Sequence, residues 1–247
     1  MKFKLKKIWV LSKLKFVLLM KNFQAIIGSG MAIIVVITLK YLMEDSQAGA
    51  EINIPAFVLN FGLTFNSIMS AIMITSLPIT EDKEKNTLRS LVSSTYSSTE
   101  YIISSILPAF IIIFLVNQLI IPLSGVNFTF TSWLLYTVLA SIMALTSLAI
   151  GSAVGIISNK VQVTSMITVP IMLPLVIIPS LKMVSPVVKK VSHFLYSGII
   201  SDKVDRLVNN YSISFSLLDW TVVLGQLFLC FGIFYVVFRK KGIEITK

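Results

Sequence analysis

Residues 81–100, EDKEKNTLRSLVSSTYSSTE, separate two long apolar runs. The segment carries seven charged residues in 20 positions, although the chain around it is strongly apolar. Leu88, Leu91 and Val92 are spaced i, i+3 and i+4, which predicts a short helix with one apolar edge. A helix of this kind between two membrane spans is suited to docking in a groove of a soluble partner.

The composition predicts an integral membrane protein. Apolar residues make up 55% of the chain, and the mean hydropathy of +0.88 lies well above that of ordinary soluble domains. Six apolar runs are each long enough to cross about 30 Å of hydrocarbon at about 1.5 Å per residue. The predicted spans are residues 23–43, 55–78, 102–124, 133–157, 163–181 and 218–238.

The distribution of Lys and Arg predicts the orientation. With the N-terminus inside, the cytoplasmic segments carry 15 of these residues, whereas the outer loops 44–54 and 125–132 carry none. Residues 182–217 carry five and are the exception on the outer side. Both termini are therefore predicted in the cytoplasm. Basic residues beside spans are typical of contact with anionic lipid headgroups, so the net charge of +10 does not predict nucleic-acid binding.

The first 20 residues predict an amphipathic helix that lies in the membrane interface, with its lysines reaching to the headgroups. A disordered basic leader that only sets topology is the alternative. Ala48-Gly49-Ala50 also leaves open a cleaved signal peptide, although the preceding apolar run is too long for one. The predicted apolar stripe is Leu5, Ile8, Trp9, Ser12, Phe16 and Leu19, and the flanking lysines are Lys2, Lys4, Lys6, Lys13 and Lys15.

The sequence contains no phosphate-binding G-x-x-x-x-G-K-[ST] loop and no His-Glu-x-x-His motif. Cys230 and His193 are single residues of their types, so neither predicts a metal site. An intramembrane enzyme would need paired carboxylates or a Ser–His pair inside the spans, and all acidic residues lie in loops or at span ends. Any energy source is therefore expected in a separate subunit.

Polar residues inside the spans have two open interpretations. Asn60, Thr64 and Ser67 follow i, i+4, i+7 spacing and either line a translocation path or form interhelical hydrogen bonds. Asn117 and Gln118 are too costly to face lipid unpaired. Span four has small or polar residues at four-residue spacing, which favours close helix packing. They are Ser147, Gly151, Gly155 and Asn159.

The segment at 81–100 resembles the cytoplasmic coupling segment of the ABC-2 family of ABC-transporter permeases. The run of that family is roughly Glu-x-Gly-Thr-Leu-x-x-Leu-Leu-x-Ser-Pro-x-Ser-x-x-Glu. Asn86 stands here in place of the Gly, and Thr95 in place of the Pro. The residues that match in register are Glu84, Thr87, Leu88, Leu91, Ser94, Ser97 and Glu100.

The resemblance implies a single transmembrane domain over residues 1–247. It implies an all-α membrane protein with six transmembrane helices, an N-terminal interfacial elbow helix (1–20) and a cytoplasmic coupling segment (81–100). Residues 182–217, which are amphipathic, are expected to form one or two short extracellular helices between spans five and six, capping the spans at the outer membrane surface.

The resemblance further implies the permease subunit of an ATP-driven exporter in a bacterial plasma membrane, surrounded by membrane lipid. It would pair with a second permease copy or a similar permease, and with two copies of a cytoplasmic ABC ATPase. ATP and magnesium belong to that ATPase, so this chain is expected to hold no cofactor and not to be an enzyme. The expected coupling residues are Glu84, Thr87, Leu88, Leu91, Val92 and Glu100.

The expected cargo is an amphipathic or hydrophobic molecule, such as a peptide toxin, an antimicrobial peptide or a drug. A path of Asn, Ser and Thr without charges suits a molecule that enters partly from the membrane. The rival hypothesis is a membrane scaffold or sensor without transport, which would recruit a cytoplasmic partner through residues 81–100.

Overall fold

A computed structural model describes residues 5–45, 53–85, 98–182 and 185–245. These residues form nine helices, and six of the helices are long and apolar enough to cross a membrane. An all-α membrane fold with six spans is therefore confirmed. The helices are α1 (Leu5–Lys21), α2 (Phe23–Asp45), α3 (Ile54–Glu84), α4 (Ser98–Ser124), α5 (Phe130–Ile157), α6 (Val161–Ser180), α7 (Pro186–Ser192), α8 (Tyr196–Val208) and α9 (Leu217–Ile245).

The spans α2, α3, α4, α5, α6 and α9 form a bundle with two distinct ends. We call the end that holds α1 and the α5–α6 turn the proximal end, and the opposite end the distal end. The last turn of α3 and the first turn of α4 lie at the proximal end, since Asp82 contacts both Lys15 and Tyr101 there. The C-terminal residues of α6 and the start of α9 lie at the distal end, beside α8.

Local capping sets where the spans begin and end. The Asn53 side chain accepts a hydrogen bond from the backbone N–H of Ala56, and Pro55 follows in the first turn of α3. Thr129 caps α5 in the same way through the backbone N–H of Ser132. α4 ends beside Gly125, whose φ of +83° is a conformation that favours glycine.

Two helices continue past the predicted span boundaries at the proximal end. The second span was predicted to stop at residue 78, but α3 continues to Glu84. The third span was predicted to start at residue 102, but α4 begins at Ser98. Residues 81–84, which the sequence analysis assigns to the cytoplasmic coupling segment, have partners on other helices and continue α3.

α3 and α5 form the centre of the bundle. In each of these two spans, 72% of the most apolar 18-residue stretch is buried, whereas 6% of the corresponding stretch of α9 is buried. A Cβ on Gly151 would overlap Thr75 and the backbone of Ile72, and a Cβ on Gly155 would lie 2.9 Å from the carbonyl oxygen of Ser76. The close helix packing predicted from the small residues of span four is therefore confirmed, and its partner is α3.

Polar side chains inside the bundle pair with one another. Residues 65–70 of α3 form a π-helical turn, and Asn66 in that turn donates a hydrogen bond to Asn117 of α4 at 2.8 Å. Gln118, on the next position of α4, accepts a hydrogen bond from the Trp133 indole at 2.8 Å. The expectation that Asn117 and Gln118 do not face lipid unpaired is confirmed.

α1 is helical as predicted, but the predicted assignment of its faces is partly wrong. Leu11, Ser12, Lys15 and Leu19 are buried, and Trp9 of the predicted apolar stripe is 66% exposed, as a residue that faces lipid would also be. Lys15 was predicted to reach the headgroups, and it is only 6% exposed. A helical wheel groups residues by their position on one helix and carries no information about charged partners on other helices.

Two short helices, α7 and α8, occupy the segment between spans five and six. They do not lie only at the ends of the spans. The hydroxyl of Tyr196, at the start of α8, is 2.8 Å from that of Ser147, which lies 17 positions into α5, or about 25 Å along the helix. The buried Ile199, Ile200 and Val204 of α8 pack within the main apolar core. The prediction that residues 182–217 cap the spans at the outer surface is therefore incomplete, because the spans bury an apolar face of α8.

Candidate functional site

Consecutive residues at the proximal end of α3 contact four other parts of the chain. We call the contacts of residues 81–84 with other helices the proximal junction. Because successive residues of a helix point about 100° apart, four neighbouring side chains are directed to different sides of α3. The junction lies next to residues 86–97, on which the expected coupling helix depends.

The most buried part of the junction joins α1, α3 and α4. Lys15 forms an ion pair with Asp82 and donates a hydrogen bond to the Tyr101 hydroxyl at 3.0 Å. Tyr101, which is 2% exposed, donates to the same carboxylate. The Lys15 ammonium also lies 4.2 Å from the centre of the Tyr101 ring. Burial lowers the pKa of Lys15, and the attraction of Asp82 opposes that shift.

Lys83 holds the opposite side of the junction, at the end of α5. Its ammonium donates to the carbonyl oxygens of Ile156 and Ser158, both at 2.6 Å, and to the Asn159 side chain at 3.2 Å. The carbonyl groups of the last helical turn have no partners within the helix, so a cation there is favourable. Lys83 thereby fixes the end of α5 to the end of α3.

Glu84 and Glu81 complete the junction. A carboxylate oxygen of Glu84 accepts a hydrogen bond at 3.0 Å from the backbone N–H of Val161, the first residue of α6. An anion at that position matches the positive end of the helix dipole. Glu81 accepts a hydrogen bond at 3.0 Å from Asn22, which stands between α1 and α2. The end of α3 therefore contacts α1, α5 and α6, the first turn of α4, and Asn22 between α1 and α2.

The expected coupling residues are only partly covered by the structure. Thr87, Leu88, Leu91 and Val92 lie outside the described residues, so their predicted role stays a prediction. Glu84 is the last residue of α3 and contacts α6 of the same chain, as described above. Glu100 lies in the first turn of α4 and is 8% exposed, so it is part of the packed bundle.

The predicted polar edge of span two is divided between two surroundings. Asn60 donates to the carbonyl oxygen of Ser201 at 2.7 Å, and Thr64 donates to the carbonyl oxygen of Asn60 at 2.7 Å. Ser67 is fully buried and accepts a hydrogen bond from Asn117 at 2.8 Å. The i, i+4, i+7 spacing assumes a regular α-helix, and the π-helical turn beginning at Phe65 changes the register between Thr64 and Ser67.

Asn60 and Thr64 line a cleft at the distal end, which we call the distal cleft. Its other walls include the stacked rings of Phe57 and Phe61, whose centres are 6.3 Å apart, and the end of α6. Asp205 of α8 lies at the cleft, paired with Lys182 and bonded to Asn60. The side-chain oxygen of Asn60 is buried and has no hydrogen-bond partner among the described residues. The cleft thus combines aromatic walls with unused polar capacity.

The sequence missed the residues that hold both regions together. Lys15, Lys83 and Tyr101 were not among the expected site residues, and Lys182 was assigned only to a basic outer segment. Their partners lie 67 or more positions away for Lys15 and Lys83, so no local pattern marks them. The one available signal was that five successive charged residues directly follow an apolar run. Among the described residues, no group of three or more His, Cys, Asp or Glu is arranged to hold a metal ion.

One comparison with known proteins gives a match. A family model described as ABC-2 type transporter matches residues 6–197. This range contains α1, the whole proximal junction, and the Asn60 and Thr64 side of the distal cleft. No curated protein matches the chain.

Proposed function

Because this chain belongs to the ABC-2 type transporter family, we propose that it drives export by passing motion of an ATPase from residues 81–100 to the distal cleft. Membership makes it a multi-pass permease subunit of an ABC transporter, a family that works with an ATPase subunit. The direction of transport, the coupling residues and the cargo belong to the proposal. So do a bacterial membrane, cytoplasmic termini, two ATPase copies and a second permease.

The proximal junction is the observation that carries the proposal. Residues 81–84 contact α1, α4, α5 and α6, and they directly precede the expected coupling helix. A force applied to Leu88, Leu91 and Val92 in a groove of the ATPase would reach the end of α3 within one or two turns. The junction would then pass the displacement to four helices together, because each is held by a separate ion pair or hydrogen bond.

α3 is suited to carry this displacement through the membrane. Its 31 residues correspond to about 45 Å, with the junction at one end and the distal cleft near the other. Gly151 and Gly155 bring α5 into backbone contact with α3, so the two spans move as one body. The π-helical turn at 65–70 is the position in α3 at which we expect a change of register, since π-helical turns are frequent at functional sites. Two conformations, biased by nucleotide in the ATPase, are the minimum that this mechanism requires.

The residues of the distal cleft have the character expected for contact with part of an amphipathic or hydrophobic cargo. Phe57 and Phe61 offer aromatic surface, and the polar Asn60 and Thr64 lie beside them. The cleft has a volume of about 30 Å³, so it admits one small group of a peptide or drug rather than the whole molecule. Export is favoured because the loops 44–54 and 125–132 are short, which leaves no docking surface for the substrate-binding protein that an importer would use.

Two substitutions separate docking of the ATPase from transmission of its motion. Leu88→Asp places a charge on the docking edge, so the ATPase is expected to be lost when the chain is purified from its native membrane in mild detergent. Asp82→Asn removes the ion pair with Lys15 and leaves residues 86–97 unchanged, so the ATPase is expected to remain bound. Lys85→Gln is the matched control, since among the described residues Lys85 forms its one ion pair with Glu81, four positions before it, and its side chain is 68% exposed.

Transmission is measured by a fluorophore at the distal end. Tyr211→Cys, in a Cys230→Ser background, places the dye on an exposed residue. ATP with vanadate is expected to change its emission in the parent complex and in Lys85→Gln, with at least a fivefold smaller response in Asp82→Asn. If no ATPase accompanies the parent chain, the proposal is wrong. If the ATPase binds but the parent dye does not respond to nucleotide, the scaffold or sensor hypothesis replaces transport.

A further inference from the structure

A groove runs between α1 and α4, on the side of α1 away from the proximal junction. It has a volume of about 310 Å³, which is at the lower limit of ordinary small-molecule sites. Its walls are almost entirely apolar. They are formed by Trp9, Phe16, Leu107, Pro108 and Ile111.

Two polar residues of α1 also line this groove. Ser12 is 5% exposed, and its hydroxyl has no hydrogen-bond partner among the described residues. Lys13 is exposed at the rim, and among the residues that the structure describes no acidic side chain lines the groove to neutralise it. The groove therefore combines an apolar floor, a buried hydroxyl and one uncompensated positive charge.

The groove opens towards lipid rather than towards water. Leu107 and Ile111 lie on the outer face of the span α4, 37% and 39% exposed in a helix that crosses the membrane. Trp9 is 66% exposed beside them, and tryptophan is enriched at the boundary between hydrocarbon and headgroups. The molecule that reaches this position is a membrane lipid of the proximal leaflet.

We propose that the groove is a binding site for one anionic phospholipid. An acyl chain lies against Phe16, Leu107 and Ile111, where it replaces solvent-exposed apolar surface. The phosphate pairs with the ammonium of Lys13 at the rim, while the Ser12 hydroxyl lies buried behind the apolar wall of the groove. Lysine rather than arginine suits a single charge contact of this kind. A zwitterionic lipid also fits the groove, but because it carries no net charge its headgroup attracts Lys13 less strongly.

Quenching of Trp9 by brominated lipid tests the site directly. The full chain with Trp133→Phe and Trp220→Phe retains Trp9 as its one tryptophan. It is reconstituted in phosphatidylcholine vesicles that contain a small, fixed fraction of brominated phosphatidylglycerol or of brominated phosphatidylcholine. A lysine near the surface favours anionic lipid enough to give about a fivefold preference. We expect that preference for phosphatidylglycerol in the parent chain and in Lys13→Arg, and its loss in Lys13→Gln.

Lys160→Gln is the matched control, because Lys160 is exposed at the same end of the bundle and lies outside the groove. It is expected to keep the preference. Equal quenching by both brominated lipids in the parent chain would overturn the proposal. A similar loss of preference in Lys160→Gln and Lys13→Gln would overturn it as well, since the attraction would then come from the overall charge of this end.

Discussion

Lys15 and Asp82 illustrate how far a single residue can depart from its expected environment. Lys15 was assigned to the headgroups from its position on an amphipathic helix, and the structure buries it against a span. The pair is satisfied by Tyr101, so no charge of the three-residue cluster lacks a partner. Buried pairs of this kind contribute little beyond an apolar pair of equal size, but they fix which surfaces meet.

The Lys15–Asp82 pair is expected to show strong coupling in a double-mutant cycle. Lys15→Met leaves a carboxylate without its cation and is expected to cost about 3 kcal/mol of unfolding free energy. Lys15→Met with Asp82→Leu removes both charges and is expected to recover more than half of that loss. The measurement is the unfolding free energy of the full chain in mild detergent. Additive losses would show that the two side chains do not interact in the folded protein.

The sequence predicted the helices well where neighbouring residues determine them. It predicted them poorly where contacts with other helices determine them. The six spans follow from apolar runs of about 20 residues, so their number and order could be read from the sequence. The proximal ends of α3 and α4 could not, because Asp82 and Lys83 are kept helical by partners on α1 and α5. The π-helical turn has no sequence signature of its own, which is why Ser67 was placed on the same edge as Asn60.

Gly151 is expected to set the distance between α3 and α5. In Gly151→Ala the new methyl group would overlap Thr75 and the backbone of Ile72, so the two spans must separate, at a cost of about 1–3 kcal/mol. Gly225→Ala is the control, because a Cβ on Gly225 of α9 meets nothing within 4 Å. That change is expected to be neutral or to stabilise by up to about 1 kcal/mol. Thermal unfolding of both variants in detergent makes the comparison, and an equal effect would contradict the close α3–α5 packing.

Across the membrane, α3 connects the proximal junction with the distal cleft. The sequence placed a coupling segment after α3 and a polar edge on it, and the described residues place the proximal junction and the distal cleft at its two ends. The sequence could not predict the tertiary contacts by which one end of α3 binds α1, α4, α5 and α6. Those contacts are made by common residue types such as Asp, Lys and Tyr. Which partners these residues have depends on which helices pack together, and no local pattern in the sequence shows that.

Site-specific photo-crosslinking in the native membrane tests whether residues 81–100 dock on an ABC ATPase. Leu88→p-benzoylphenylalanine places a photoreactive group on the expected docking edge. Tyr211→p-benzoylphenylalanine is the control at the distal end. We predict that irradiation joins position 88 to an ABC ATPase subunit and that position 211 gives no such product. If position 88 joins only to proteins that are not ATPases, or to none, residues 81–100 are not the coupling segment.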